Sequence, residues 1–450
     1  MPGVTLSRWT MSYFALALLC LMGALALMAG GFGYPAADVA APQTLFLVHL
    51  VALGWLSLLL CGALFQFVPV LIARPLHSDR LPLPTLLCLA GGLALLLCGF
   101  LHLAGWPGPR AVLPLGGALL VLGFALAIYN LARTLWVAPS LGLPASFVAV
   151  GLACLAATAL LGFVFTLFFG GVSSAPWVAA LTAEGLPVHA LAGLGGWLTL
   201  TAMGVSYRLL AMFMLAPELE GWSTRAALWL GSAALTIITV GGVAAIAVGY
   251  GPDWALAAGG LLALAALSLY GRDIARLYSA RKRRVIELNS RMAGVALVHL
   301  AATAVLAVAL IAGGTLGRHV GALVFLTAFG WLTGLGLAKL YKIVAFLTWL
   351  ECYGPVLGKV ETPRVQDLVA EPKAAPWFWL YFGATDFLVL MLLAEAPGLA
   401  RIGAAAMLLA VAAIARQLLR IRRLADVRQA ARLPRGVSRP RLLILTVPQA

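Results

Sequence analysis

Charge is what this chain of 450 residues has least of: 10% of its residues are charged, and only 15 are acidic. A soluble domain carries about 25% charged residues. With 63% of residues hydrophobic and a mean hydropathy of +1.03, a water-soluble globular protein is excluded. The six cysteines (Cys20, Cys61, Cys88, Cys98, Cys154 and Cys352) show no C-x-x-C spacing. Most fall inside apolar runs, so they read as small buried hydrophobes and not as disulfides or zinc ligands. Also missing are a phosphate-binding G-x-x-x-x-G-K, a strand-borne dinucleotide fingerprint, H-E-x-x-H and C-x-x-C-H, which removes the soluble-enzyme chemistries those motifs carry.

What the chain does have is long apolar runs and a net charge of +15. In a soluble protein that balance suggests nucleic acid. Here the basic residues cluster at the ends of the runs, which is a sign of membrane topology, so the partner is a lipid bilayer and no nucleic acid is expected. A spanning helix needs roughly 20 apolar residues. Twelve such runs are found, at about 12–30, 45–71, 83–104, 111–132, 145–170, 187–213, 226–249, 254–271, 292–312, 320–348, 376–395 and 400–418. The first is too long for a signal-peptide core and lacks a cleavage site, so it counts as a helix. An even number of spans puts both termini on one side. If that side is cytoplasmic, only Arg110, Arg318 and Arg401 of the basic residues lie outside, as the positive-inside bias requires of a bacterial-type inner-membrane protein. Residues 1–419 then form the membrane domain and 420–450 a basic cytoplasmic tail. The tail reads either as a solvated topology anchor or as a partly amphipathic strip on the anionic inner leaflet.

An internal repeat organises the spans. Gly54-Trp55-Leu56-Ser57, Gly196-Trp197-Leu198-Thr199 and Gly330-Trp331-Leu332-Thr333 align without gaps. Seven residues after each Trp comes a small residue (Gly62, Gly204, Ala338), ten after it an aromatic (Phe65, Tyr207, Tyr341), and then a polar one (Gln66, Arg208, Lys342). The small position shares the tryptophan's helix face, where it permits close helix approach. The tryptophans recur at nearly even intervals, on the second, sixth and tenth spans. The fold class is therefore an all-α polytopic membrane protein: twelve transmembrane helices in three pseudo-equivalent four-helix arcs, with units of about 1–140, 141–285 and 286–419.

Intramembrane polar residues are the functional candidates. His49, His102, His189 and His319 lie within about three turns of the outer ends of four helices. Neutral imidazole ligates haem iron or metal, so these four are candidate cofactor ligands. The alternative is that they are interfacial groups bonded to loops. Counted back from Trp197 and Trp331, His189 and His319 fall on one shared helix face. Counted back from Trp55, His49 falls on the other side, so any site is asymmetric. His77 reads as a solvated side chain of the inner loop Arg74–Arg80. His299 and Asp386 lie deeper, and with Tyr341 and Lys339 they form candidates for an inward proton path. For Asp386 the alternative is a structural hydrogen bond to a neighbouring helix. Arg208, Lys339 and Lys342 are close enough to inner ends to snorkel.

Twelve helices in three arcs with both termini inside resemble subunit I of the haem-copper oxidase superfamily, which includes terminal oxidases and nitric oxide reductases. The resemblance is architectural and covers nearly the whole chain. It implies haem as cofactor, oxidoreductase chemistry in respiratory electron transfer or oxygen and nitric oxide sensing, and small respiratory subunits or an electron-donor protein as partners. In that family helices 2, 6 and 10 carry metal ligands. His49 matches the low-spin haem ligand, and His189 stands where the family has a copper ligand, which makes His49 and His189 the metal candidates. Helix 10 offers only His319, at its outer mouth, where the family has an H-x-H pair deeper in. Helix 7 has no histidine, so a three-His copper centre cannot be assembled as the family builds it. A non-catalytic oxidase-like scaffold or assembly factor is the first alternative. A twelve-helix transporter is the second, although it should show a half-and-half repeat and the sequence shows a repeat of three.

Overall fold

Leu-, Ala- and Gly-rich runs bring no polar side chain to compete for backbone groups. In hydrocarbon every N–H and C=O must then be paired within its own segment, which leaves the helix as the outcome. The computed structural model describes residues 7–446. It contains twelve helices long and apolar enough to cross a membrane, and no strand beyond one isolated bridge at Leu357 and Val360 among the described residues. They are α1 (Thr10–Ala29), α2 (Pro42–Ile72), α3 (Pro82–Leu103), α4 (Val112–Trp136), α5 (Leu143–Phe169), α6 (Leu186–Met214), α7 (Trp222–Ala247), α8 (Asp253–Ser279), α9 (Leu288–Ala312), α10 (Leu316–Val356), α11 (Glu371–Leu393) and α12 (Pro397–Arg422). The chain is thus an all-α, multi-pass membrane protein. At their C-terminal ends α8, α10 and α12 run past hydropathy limits of 271, 348 and 418, to Ser279, Val356 and Arg422. Hydropathy stops at the first charges, whereas the fold pairs those charges and keeps the helix going.

The chain divides into two compact units, Met1–Gln66 with Glu287–Ala450, and Phe67–Ile286. In the first, α12 packs on α1 and α11, α9 on α10, and α1 on α2. In the second, α3 pairs with α4, α4 with α5, α5 with α6 and α7 with α8.

The three repeat motifs have one backbone signature in common. Leu50–Ser57 in α2, Leu191–Leu200 in α6 and Leu326–Thr333 in α10 are π-helical, a rare widening that leaves carbonyls in unusual places. In two motifs the closing hydroxyl takes such a carbonyl five residues back: Ser57 Oγ donates to Ala52 O at 2.7 Å and Thr333 Oγ1 to Ala328 O at 2.7 Å. On α11, Tyr381 Oη donates to Phe329 O at 2.7 Å, capping a further carbonyl of the α10 segment. The small positions pack as the spacing predicts. A Cβ at Gly62 would stand 2.6 Å from Tyr13 Cβ of α1, and one at Gly204 would overlap Phe147 of α5.

The tail does not leave the bundle. Leu445 is fully buried, its N–H donates to Arg8 O at 2.9 Å, and Ser12 Oγ donates to Leu443 O at 2.7 Å. Thr446 donates from its N–H and its hydroxyl to Glu351 Oε1, at 3.0 and 2.7 Å. At Leu445 and Thr446 the segment is held against the first unit by a buried leucine and a buried carboxylate.

Candidate functional site

The three tryptophans are buried, at 0% exposure for Trp55, 2% for Trp197 and 0% for Trp331. Within the first unit, Trp55 Nε1 donates to Thr333 Oγ1 at 2.8 Å. That hydroxyl gives its own proton to Ala328 O, so the first motif is tied directly to the third. The aromatic positions meet rings on neighbouring helices: Phe65 on Tyr13, Tyr207 on Phe147 and Tyr341 on Phe378. The polar positions each find a partner. Gln66 Nε2 donates to Ser7 O and Thr10 Oγ1, Arg208 pairs with Glu218, and Lys342 Nζ lies 2.7 Å from Glu287. Arg208 and Lys342 both reach carboxylates that lie beyond the helix ends, Glu218 after α6 and Glu287 before α9.

One titratable site joins two helices of the first unit near their middles. His299 lies near the middle of α9, and Asp386 a little past the middle of α11. His299 Nδ1 lies 2.8 Å from Val295 O, and Nε2 lies 2.9 Å from Asp386 Oδ1. A carbonyl accepts only, so Nδ1 carries hydrogen. One further proton must then lie between Nε2 and Oδ1, giving either imidazolium with carboxylate or imidazole with carboxylic acid. The imidazole is clamped: Phe382 lies along its ring at 5.2 Å, and a Cβ at Gly330 would stand 2.7 Å from Cδ2. Gly330 opens the third motif, so the repeat glycine makes room for the histidine. His299 is buried, but the Asp386 side chain is 59% exposed. The dyad thus holds one mobile proton near mid-depth, with its carboxyl at the perimeter.

The four proton-path candidates fall into two groups. His299 and Asp386 meet. Lys339 and Tyr341, both buried, lie farther along α10, roughly 14 and 17 Å from Gly330 at the helical rise.

The four outer histidines have separate surroundings. His49, half-buried on α2, has Nδ1 2.8 Å from Leu45 O of its own helix. His102 has Nδ1 3.1 Å from Trp106 O in the loop after α3, as an interfacial histidine would. His189 on α6 meets the Phe165 ring at 5.4 Å. His319 sits at a kink in α10, with φ −114° and ψ 15°. No group of three His, Cys, Asp or Glu able to hold a metal ion occurs among the described residues, and α7 has no histidine. The residues present do not fit a three-His copper centre. His49 would fit a haem ligand in one respect: the Leu45 carbonyl at Nδ1 orients its ring, as the outer-shell bond of a ligating histidine does.

Two buried carboxylates escape a reading based on hydropathy. Asp273, on the extension of α8, accepts from Ser223 Oγ at 2.6 Å, Thr224 Oγ1 at 3.0 Å and Tyr207 Oη at 3.1 Å, tying α6, α7 and α8 together. Glu351, on the extension of α10, lies 2.7 Å from Arg422 Nη1, and both are buried. Each stands just beyond a hydropathy boundary, and what marks it is apolar periodicity continuing past the charge.

No protein-family model matches the chain, and no curated protein does either.

Proposed function

We propose that this protein is an oxidase-like integral protein of a bacterial-type inner membrane, both termini cytoplasmic, with a haem-linked role in respiratory electron transfer or in oxygen or nitric oxide chemistry. The reading is carried by the π-helical motif repeated on α2, α6 and α10, the helices that bear ligands in the haem-copper oxidase superfamily. Bound haem would supply one-electron transfer and gas binding. His49 would hold it through Nε2, with Leu45 O orienting the ring. His189 is the second ligand candidate, and His319 and His102 are the remaining ones. The His299–Asp386 dyad holds a proton at Nε2 or Oδ1 near mid-depth, where charge movement can be coupled to redox change. A small respiratory subunit or an electron-donor protein would deliver electrons. Copper has no part in this proposal.

The test is an absorption spectrum of the purified full chain from a haem-replete host. A Soret band that is lost in His49→Ala and retained in His102→Ala supports the reading; no Soret band in the parent overturns it. A second reading, a non-catalytic oxidase-like scaffold or assembly factor, is favoured by the absence of a three-ligand group among the described residues. It predicts that His49→Ala and His189→Ala are both tolerated in cells.

A further inference from the structure

The second unit contains a cavity of about 410 Å³ where the loop between α2 and α3 meets the end of α4. Its wall carries Arg74, Leu76, His77, Arg133, Thr134 and Val137. Two fully buried side chains of α4 build it. Asn130 accepts from Ser78 N at 2.9 Å and donates to Ser78 O at 2.9 Å. Thr134 accepts from His77 N at 3.0 Å and donates to Asn130 O at 2.6 Å. The loop backbone is therefore pinned, and Arg74 and His77 are presented beside Arg133 without any rearrangement. His77 is exposed, as a solvated loop side chain would be, and its ring stands edge-on to Tyr129 at 5.4 Å.

The chemistry of the wall is divided. Two guanidinium groups, neither in an ion pair among the described residues, supply the planar donor forks that match phosphate oxygens. Val137 and Leu76 supply apolar surface. Tyr129, edge-on to His77, is 53% exposed, and Trp136, next in sequence to the wall residue Val137, is 83% exposed, the kind of amphipathic rings that settle at the headgroup level of a bilayer. All basic residues of this unit except Arg110 lie toward this same end of its helices. A soluble anion would need the forks but would gain nothing from the apolar wall and the exposed rings. We propose that this cavity binds the phosphodiester headgroup of an anionic phospholipid, with Arg74 and Arg133 on the phosphate and the glycerol and acyl root against Val137 and Trp136. This inference is independent of any haem.

The experiment is native mass spectrometry of the detergent-purified full chain, titrated with phosphatidylglycerol or with phosphatidylcholine of the same acyl chains. Each basic side chain at an anionic lipid surface contributes enough that removing two should weaken binding by roughly thirtyfold. The expected result is selective retention of phosphatidylglycerol that collapses in R74Q/R133Q, persists in the loop control K282Q/R284Q, and is not displaced by excess inorganic phosphate. Equal retention of the two lipids overturns the proposal, as does an equal loss in both double variants. Displacement by phosphate alone reassigns the cavity to a soluble anion and also overturns it.

Discussion

Replacing Glu351 by Gln tests whether buried charge pairing locks the end of the first unit where α10 and α12 finish. Arg422 Nη1 lies 2.7 Å from Glu351 Oε2 and donates to Thr348 Oγ1 at 2.9 Å, while Nη2 donates to Arg441 O. Exposure is 3% for Arg422 and 7% for Glu351. In Glu351→Gln the guanidinium keeps its neutral acceptors but loses its counter-charge. Breaking a buried pair from one side costs about 3–5 kcal/mol. The surviving hydroxyl and carbonyl place this case near 3 kcal/mol, about a hundredfold in the opening equilibrium. Cys352, next in sequence and 4% exposed, reports that opening directly. In a variant whose other five cysteines are serine, the rate of maleimide labelling follows local opening when reclosing is fast. Labelling of Glu351→Gln should accelerate about a hundredfold. The double variant Glu351→Met/Arg422→Met should recover most of the protection, because two apolar chains leave no charge to desolvate. Acceleration below about threefold, under 0.7 kcal/mol, refutes the reasoning, and so does a double variant as open as the single one.

The His299–Asp386 dyad predicts a split between two substitutions. Asp386→Asn can turn its amide to donate to neutral Nε2 and keeps thermal stability in detergent, whereas Asp386→Leu strands a buried ring nitrogen at a cost of about 1–3 kcal/mol; equal stability of the two would remove the dyad. Overpacking at the repeat's small position costs about 1–3 kcal/mol, so Gly204→Leu should lower the melting temperature, while Gly383→Leu, with nothing within 4 Å of its Cβ, should leave it unchanged. Asp426 is held below its usual 3.8 chiefly by the hydrogen bond from Arg420, with Lys373 adding to it. A depressed carboxylate contributes stability above its ordinary pKa and loses it as the pH falls through the folded-state value. Protection of the segment joining α12 to the tail, followed by hydrogen exchange, should therefore weaken only below about pH 4, and Asp426→Asn should abolish that dependence.

Much of the helical framework is legible in the residues themselves, because hydropathy and charge asymmetry act locally. Each span is long and apolar by itself, and each repeat motif is a contiguous string. The dyad is visible in part: two titratable residues near mid-span stand out in an apolar sequence, but only the packing of α9 on α10 and α11 brings them within 2.9 Å. Asp273, Glu351 and Arg422 are missed for a physical reason. Hydropathy counts each charge as if it met solvent alone, whereas Asp273 is stabilised by three hydroxyl donors and Glu351 by a guanidinium. The docking of the tail is also non-local, since Leu445 and Arg8 are distant in sequence and joined by one backbone bond.

The π segments separate what the motif encodes from what any membrane helix does. A fourth π segment, Ile237–Gly241 in α7, has no tryptophan motif. Its hydroxyl, Thr239 Oγ1, donates to Leu235 O four residues back at 2.6 Å, the ordinary helical habit seen also at Thr158, Thr327 and Thr385. At Ser57 and Thr333 the reach is five residues. A π-helix turns its carbonyls toward the i+5 residue, so a hydroxyl that reaches the i−5 carbonyl adds a second donor to the widened turn. The tryptophan then has a fixed role: Trp55 Nε1 donates to the Thr333 hydroxyl whose proton is already committed to Ala328 O, so the widened turn of one helix presents an acceptor that another helix can use. Gly330 adds the third element, removing the Cβ that would strike the His299 ring. In α10 one four-residue string therefore sets the turn, binds α2 and seats the histidine of the dyad, which is why the repeat and the candidate chemistry stand or fall on the same residues.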